Sequence, residues 1–164
     1  MKFEFSAGGI VYKSQKAIRQ PTDKDQKSGL YILLAKHSHH KGWVFPKGLI
    51  DREKKESKEQ AAIREVKEET GAEGEIQKAL EPSTFWYAWS RGAGSRHAGD
   101  GERRKKTVYY FIMKYLGGDI SEHDYEMEDV EWVEAEKVLE TLTHKGEKDV
   151  FKKALPEIEK LAKN

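Results

Sequence analysis

The hydrophobic positions of this chain change period several times, and each change marks an element. "FEFSAGGIVY" (3–12) predicts a strand whose backbone is bulged or closely approached at its glycine pair. "LYILLAKH" (30–37) has the length and the branched, aromatic content of a buried strand. "GWVFPKG" (42–48) predicts a short strand stopped by Pro46. Over 57–71 the period becomes helical: Ser57 and Gln60 have capping-box spacing, and Gly71 stands where a helix terminates. Strands are predicted near 74–80, 83–89, 105–116 and 129–133. Two helices close the chain, near 134–142 and 146–162, with Pro156 expected to kink or break the second. There is no internal repeat, and the element order predicts a sheet covered by helices on both faces.

Two stretches interrupt this pattern. Residues 13–29 are polar and basic, and residues 90–105 are rich in glycine and arginine; both predict loops. The second could be a mobile surface loop or a lid that grips phosphate. A chain of 164 residues predicts one domain with its own core. Its 30 basic and 29 acidic residues nearly cancel, so any attraction to polyanions must be local. There is no cysteine, which excludes disulfides, thiolate nucleophiles, cysteine-ligated zinc and iron–sulfur clusters. No apolar run suggests a signal peptide or a membrane span, so a cytoplasmic protein without membrane partners is the expectation.

The chemistry concentrates in the helix at 57–71. At about 100° per residue, Glu65, Glu68 and Glu69 share one face, with the apolar stripe of Ala62, Ile63, Val66 and Thr70 beside it. Carboxylates at this spacing, partly withdrawn from water, raise one another's pKa unless a cation neutralises them. Ligands that offer only oxygen suit a hard divalent ion, Mg²⁺ or Mn²⁺. Taken alone the cluster reads rather as a solvated charged face. The preceding "FPKG" shifts the balance, because Gly48 would let a ligand or ion approach the backbone. Arg64 is expected to point off the acidic face and pair with an acid in the loop before the helix.

These residues resemble the Nudix box, a glycine followed by a glutamate and then by Arg-Glu-aliphatic-x-Glu-Glu-x-Gly. Gly48 matches the first glycine, Glu56 the first glutamate, and "REVKEETGA" (64–72) the remainder. Seven residues separate Gly48 from Glu56 where the pattern has five, so "LIDREKK" carries a two-residue insertion. The resemblance implies an α+β Nudix fold, a mixed sheet sandwiched between helices, occupying residues 1–164 as one domain with insertions at 13–29 and 90–105. It implies hydrolysis of a nucleoside diphosphate linked to a further group, with Mg²⁺ as cofactor. Gly48, Glu65, Glu68 and Glu69 are then the metal ligands. Glu65 or Glu69 would be the catalytic base, and Glu56 with Arg64 would brace the loop against the helix.

"SAGGIVY", "WVFPKG", "KTVYYFIMKYL" and "KGEKDVFKKAL" resemble the bacterial diadenosine polyphosphate hydrolases. That likeness implies a dinucleoside polyphosphate substrate, with Glu126 as a further metal ligand and Lys47 as a phosphate contact. Tyr87 and Tyr110 become candidates for stacking on adenine, although core packing explains either ring equally well. The three histidines of "KHSHHK" (36–41) read as a polar loop, with a phosphate-facing patch as the alternative. Removal of pyrophosphate from RNA 5′ ends, nucleoside triphosphate pyrophosphatase activity, and a non-catalytic nucleotide-binding domain are the competing functions.

Overall fold

The structure is a computed structural model and describes residues 2–15, 29–89 and 102–163. The two proposed insertions, 13–29 and 90–105, fall largely outside the described residues. Eight strands form one sheet: β1 (Lys2–Ser14), β2 (Leu30–His37), β3 (Trp43–Val44), β4 (Lys47–Leu49), β5 (Ala72–Ala79), β6 (Ser83–Trp89), β7 (Glu102–Gly118) and β8 (Met127–Glu134). The helices are α1 (Lys58–Thr70), α2 (Val138–Thr141) and α3 (Lys145–Ala162). The central order is β3-β2-β1-β7-β5; β4 pairs with β1, β6 with β7, and β8 with β2. Strands β1 and β7 are parallel and the other pairs antiparallel, so the sheet is mixed.

Two cores flank this sheet, because alternate residues of a strand point to opposite faces. On one side Ala7, Val11, Leu33, Phe111 and Met113 pack against Ala61, Ala62 and Val66 of α1. On the other, Ile10, Ile32, Tyr110 and Ile112 pack against Val150, Phe151, Ala154 and Ile158 of α3. This is the sandwich that the resemblance implies, and it explains why β1 and β2 are apolar on both faces.

The glycine pair of β1 marks close approach rather than a bulge. A Cβ on Gly8 would lie 2.3 Å from the Pro46 carbonyl oxygen, and one on Gly9 would lie 2.8 Å from Val66 of α1. Helix α1 has both halves of its capping box: Ser57 Oγ accepts from the Gln60 amide, and Gln60 Oε1 accepts from the Ser57 amide. It ends at Gly71, whose left-handed φ of 78° is cheap only for glycine.

Several expectations need correction. The segment 42–48 is two short strands, with Phe45 and Pro46 between them. Where a helix was expected over 134–142, a 3₁₀ turn (Ala135–Lys137) leads into the four-residue α2. Pro156 does not break α3, which continues to Ala162. Pro156 lies on the exposed side, where water can hydrate the carbonyl it leaves unpaired. Ile63 is exposed rather than part of the apolar stripe, and Glu69 takes a buried place instead.

Candidate active site

The segment Phe45-Pro46-Lys47-Gly48 crosses between the two helices and is held from both sides. Glu69 of α1 is only 4% exposed and accepts the Lys47 amide at 3.0 Å. Glu147 of α3 is 3% exposed; it accepts the Phe45 amide at 2.7 Å and lies 3.4 Å from Lys47 Nζ. Among the described residues Glu69 has no ion-pair partner within 4.0 Å. Burial first, and then the nearby Glu65 carboxylate, push its pKa up to about 8.

Gly48 lies opposite Ala7 in the β1–β4 ladder and so faces α1. A Cβ there would sit 2.1 Å from the Glu65 carboxyl carbon. The glycine is therefore a steric requirement, since any side chain would displace that carboxylate. Glu65 is mostly buried, and burial raises its pKa against the opposing effect of Arg64.

Arg64 binds far more than the single loop acid expected of it. Its Nε and Nη2 form a fork on Glu56 at 2.7 and 3.1 Å. Nη2 also donates to the Leu49 carbonyl at 3.0 Å, while Nη1 donates to Glu65 at 2.8 Å and Glu68 at 3.1 Å. Glu56 in turn accepts the Asp51 amide at 2.8 Å, which closes the loop 51–56 around the guanidinium. The extra loop length is absorbed in turns over 52–55, with Lys55 at a positive φ of 53°, and Glu56 still reaches Arg64.

Other expected residues are placed unevenly. Glu68 projects outward with its side chain 51% exposed. Glu126 shares a cavity of about 220 Å³ with Glu69, Lys47, His37, His40 and Lys106. Tyr87 is exposed, and its hydroxyl donates to Glu4 at 2.7 Å. Tyr110 is not available to a base. It is fully buried against Phe45 and Phe151, because its face of β7 is the one that α3 covers. Its hydroxyl has no partner among the described residues, and burial pushes its pKa well up.

Sequence reasoning gave no role to Lys106 or Glu147, and it read the histidines as a polar loop with a phosphate-facing patch as the alternative. Lys106 is a half-buried cation of this cavity whose pKa burial and Lys47 lower. Glu147 had a signal in the sequence, as an acid in the apolar stripe that continues through Val150, Phe151, Ala154 and Ile158. His37 and His40 stack at 4.1 Å. Their Nδ1 atoms accept the amides of His39 and Gly42, each at 3.1 Å, which places the ring proton on Nε2. Burial first and neighbouring histidines next hold both pKa values below the ordinary range, so both rings are neutral donors at pH 7.

No three acidic or histidine side chains form a ready-made metal cage among the described residues, since Arg64 spans Glu65 and Glu68 while Glu69 turns to the Lys47 amide. The donor set nevertheless fits a hard cation: two buried carboxyls with raised proton affinity, all-oxygen ligands, and a glycine that keeps the backbone open. Among the described residues no helix is long and apolar enough to cross a membrane.

Comparison with known proteins agrees with this architecture. A Mycobacterium tuberculosis relative that bears the name MutT4 is 37% identical over 158 residues, 96% of this chain and 57% of its own length. The NAD-capped RNA hydrolase NudC of Pasteurella multocida is 31% identical over 120 residues, 73% of this chain and 39% of its own length. The chain thus spans less than two thirds of both relatives. A C. elegans Ap4A hydrolase shares the fold with a TM-score of 0.64 at 22% identity, covering 94% of this chain and 97% of that one. The family model for the NUDIX domain matches residues 17–154 and takes in the acidic helix, the Gly48 strand and the cavity beside them, so the chain belongs to the Nudix family.

Proposed function

We propose that the chain is a Mg²⁺-dependent hydrolase that cleaves a phosphoanhydride bond in a dinucleoside polyphosphate such as diadenosine tetraphosphate, giving ATP and AMP. The observation that carries this reading is a cavity of mixed charge, in which Glu69 and Glu126 share the lining with Lys47 and Lys106. Its volume of about 220 Å³ is below the ~300–1,000 Å³ of a typical small-molecule site, so it suits a run of phosphates with nucleosides outside it. Phe85 lies directly across from Lys106 on β6, and Tyr87 lies two residues further along the same face. Those rings supply an apolar path for a base leaving the phosphate cavity.

Glu65, Glu69, Glu68 and Glu126, with the Gly48 carbonyl, would hold the cation; Mn²⁺ would satisfy the same donors. When bound, the cation supplies charge neutralisation on phosphate and a lowered pKa for water. Lys47 and Lys106 orient the phosphate chain, and the Nε2–H groups of His37 and His40 donate to its oxygens. Glu65 or Glu69, the two carboxyls whose proton affinity burial raises, accepts the proton of the attacking water. Arg64 and Glu56 hold Glu65 and the 51–56 loop in register.

A substrate panel with Mg²⁺, its products separated by chromatography, tests this. ATP plus AMP from diadenosine tetraphosphate is the expected result. Likeness to an RNA decapping relative makes triphosphorylated and NAD-capped RNA the second arm, and preferential turnover there would replace the first reading. Failure to hydrolyse any member would overturn both.

A further inference from the structure

On the α1 side of the sheet, β1, β7 and β6 carry exposed rings in the rows that precede the α1 core. Register places Phe3, Lys105 and Trp86 in one row across β1, β7 and β6. Residues paired across a sheet project to the same side. The next row holds Phe5, Thr107 and Thr84, and the row after it Ala7 and Tyr109, where the α1 core begins. Phe3 and Trp86 are 56% and 59% exposed. The two exposed rings flank Lys105 of β7 in one row, on either side of it.

Cations are set among these rings. Lys105 Nζ lies 5.5 Å from the Trp86 ring centre, and the Arg52 guanidinium lies 4.2 Å from that of Phe5. Arg103, exposed, continues the same side of β7 beyond Lys105. No residue in these paired rows is acidic. The nearby acid Glu4 projects to the other side of the sheet, where Tyr87 and Arg104 bind it at 2.7 and 2.9 Å. The face therefore offers flat rings at strand spacing with positive charge between them and no acid in the paired rows among the described residues.

We propose that this face, built from Phe3, Phe5, Trp86, Lys105, Arg52 and Arg103, is a platform for single-stranded nucleic acid. Bases stack on the rings, and the cations take the phosphates between them. Stacking tolerates any base, so the platform binds without strong sequence preference. The inference goes beyond the proposed hydrolysis and does not depend on it, because none of the platform residues lines the phosphate cavity.

The test is fluorescence anisotropy with a 3′-labelled, 5′-hydroxyl oligoadenylate of about fifteen nucleotides, which offers no terminal phosphate to hydrolyse. Wild type should bind, and more tightly as salt falls. Trp86→Ala and Phe3→Ala should each weaken binding by about five- to a hundredfold, and Trp86→Phe should restore most of it. Lys105→Ala should reduce the salt dependence of log K by about 0.7. Circular dichroism and melting curves establish that each variant is folded, and Trp86→Ala should cleave diadenosine tetraphosphate at the wild-type rate. Absence of wild-type binding, or equal binding by wild type and folded Trp86→Ala, overturns the proposal. So does loss of concentration-dependent self-association in Trp86→Ala with oligonucleotide affinity intact, since the face would then be a contact between copies. Nucleotide hydrolysis failing while the platform binds would remove the proposed function alone.

Discussion

Helices α1 and α3 lie on opposite faces of the sheet, and each puts one glutamate into its buried stripe. Both acids accept a backbone amide from the same short segment: Glu69 from Lys47 and Glu147 from Phe45. They differ in what else they meet. Glu147 has the Lys47 ammonium 3.4 Å away, while Glu69 has neighbouring carboxyls and a pKa near 8. A buried acid that finds its cation within the protein serves structure. One left among like charges stores unfavourable electrostatics, which an added cation relieves.

The largest expected difference is catalytic. Glu69→Gln should lower kcat by about 10²–10⁴-fold while the fold survives. Glu147→Ala should instead act on stability, by about 3 kcal/mol, because it strands the Phe45 amide and a partly buried ammonium. Steady-state kinetics and chemical denaturation of both variants check this, and near wild-type kcat in Glu69→Gln would remove Glu69 from the site.

Metal sharpens the contrast next. Adding Mg²⁺ at about a hundredfold excess over its dissociation constant should stabilise wild type by about 2.7 kcal/mol. Glu147→Ala should keep that increment and Glu69→Gln should lose much of it, read from melting curves with chelator and with Mg²⁺ at fixed ionic strength. Identical increments in all three proteins would mean that Glu69 binds no metal.

A smaller effect appears in the metal-free protein as pH changes. Glu69 has a folded pKa near 8 against an ordinary value of 4.5, so the folded state holds a proton that the unfolded state releases between those values. Its contribution to stability is complete below pH 4.5 and declines as pH rises toward 8. Glu65 is shifted in the same direction. Glu56, held low by Arg64, acts oppositely: its contribution is present above the ordinary carboxylate range and is lost as acid protonates it. Stability without metal should therefore peak near pH 4.5–5, and Glu69→Gln should flatten the alkaline side. A wild-type melting temperature that rises from pH 5 to 8 under chelator would contradict this.

The smallest effect concerns Tyr110. Its buried hydroxyl lacks a partner among the described residues, so Tyr110→Phe should leave KM unchanged and melting equal or slightly higher. A severalfold rise in KM would return this ring to the substrate site.

What was legible follows from how local each signal is. The capping box and Gly71 act within one helix, and α1 begins and ends within one residue of its expected bounds. Which of Glu65, Glu68 and Glu69 is buried could not be read from spacing, because all three share a face. Their environments depend on where a strand some twenty residues upstream crosses the helix, which is a tertiary fact. Tyr87 and Tyr110 show the same limit. Strand alternation says which residues share a side, but a helix about forty residues downstream of Tyr110 decides which side is covered. Lys106 escaped notice because "RRKK" (103–106) has no internal contrast, yet β7 sends Lys105 and Lys106 to opposite faces.

The parallel ladder between β1 and β7 has a consequence for how the chain is made. It joins Lys2 to Arg104 and Tyr12 to Lys114, partners roughly a hundred residues apart. During synthesis β1 emerges first, yet it waits for most of the chain before its longest neighbour exists. Loops of that span close slowly, and their strands stay exposed meanwhile. The apolar centre of β1, from Ser6 to Tyr12, is thus the stretch most in need of protection on the ribosome, and a nascent chain halted before β7 lacks the strand that completes the sheet's middle.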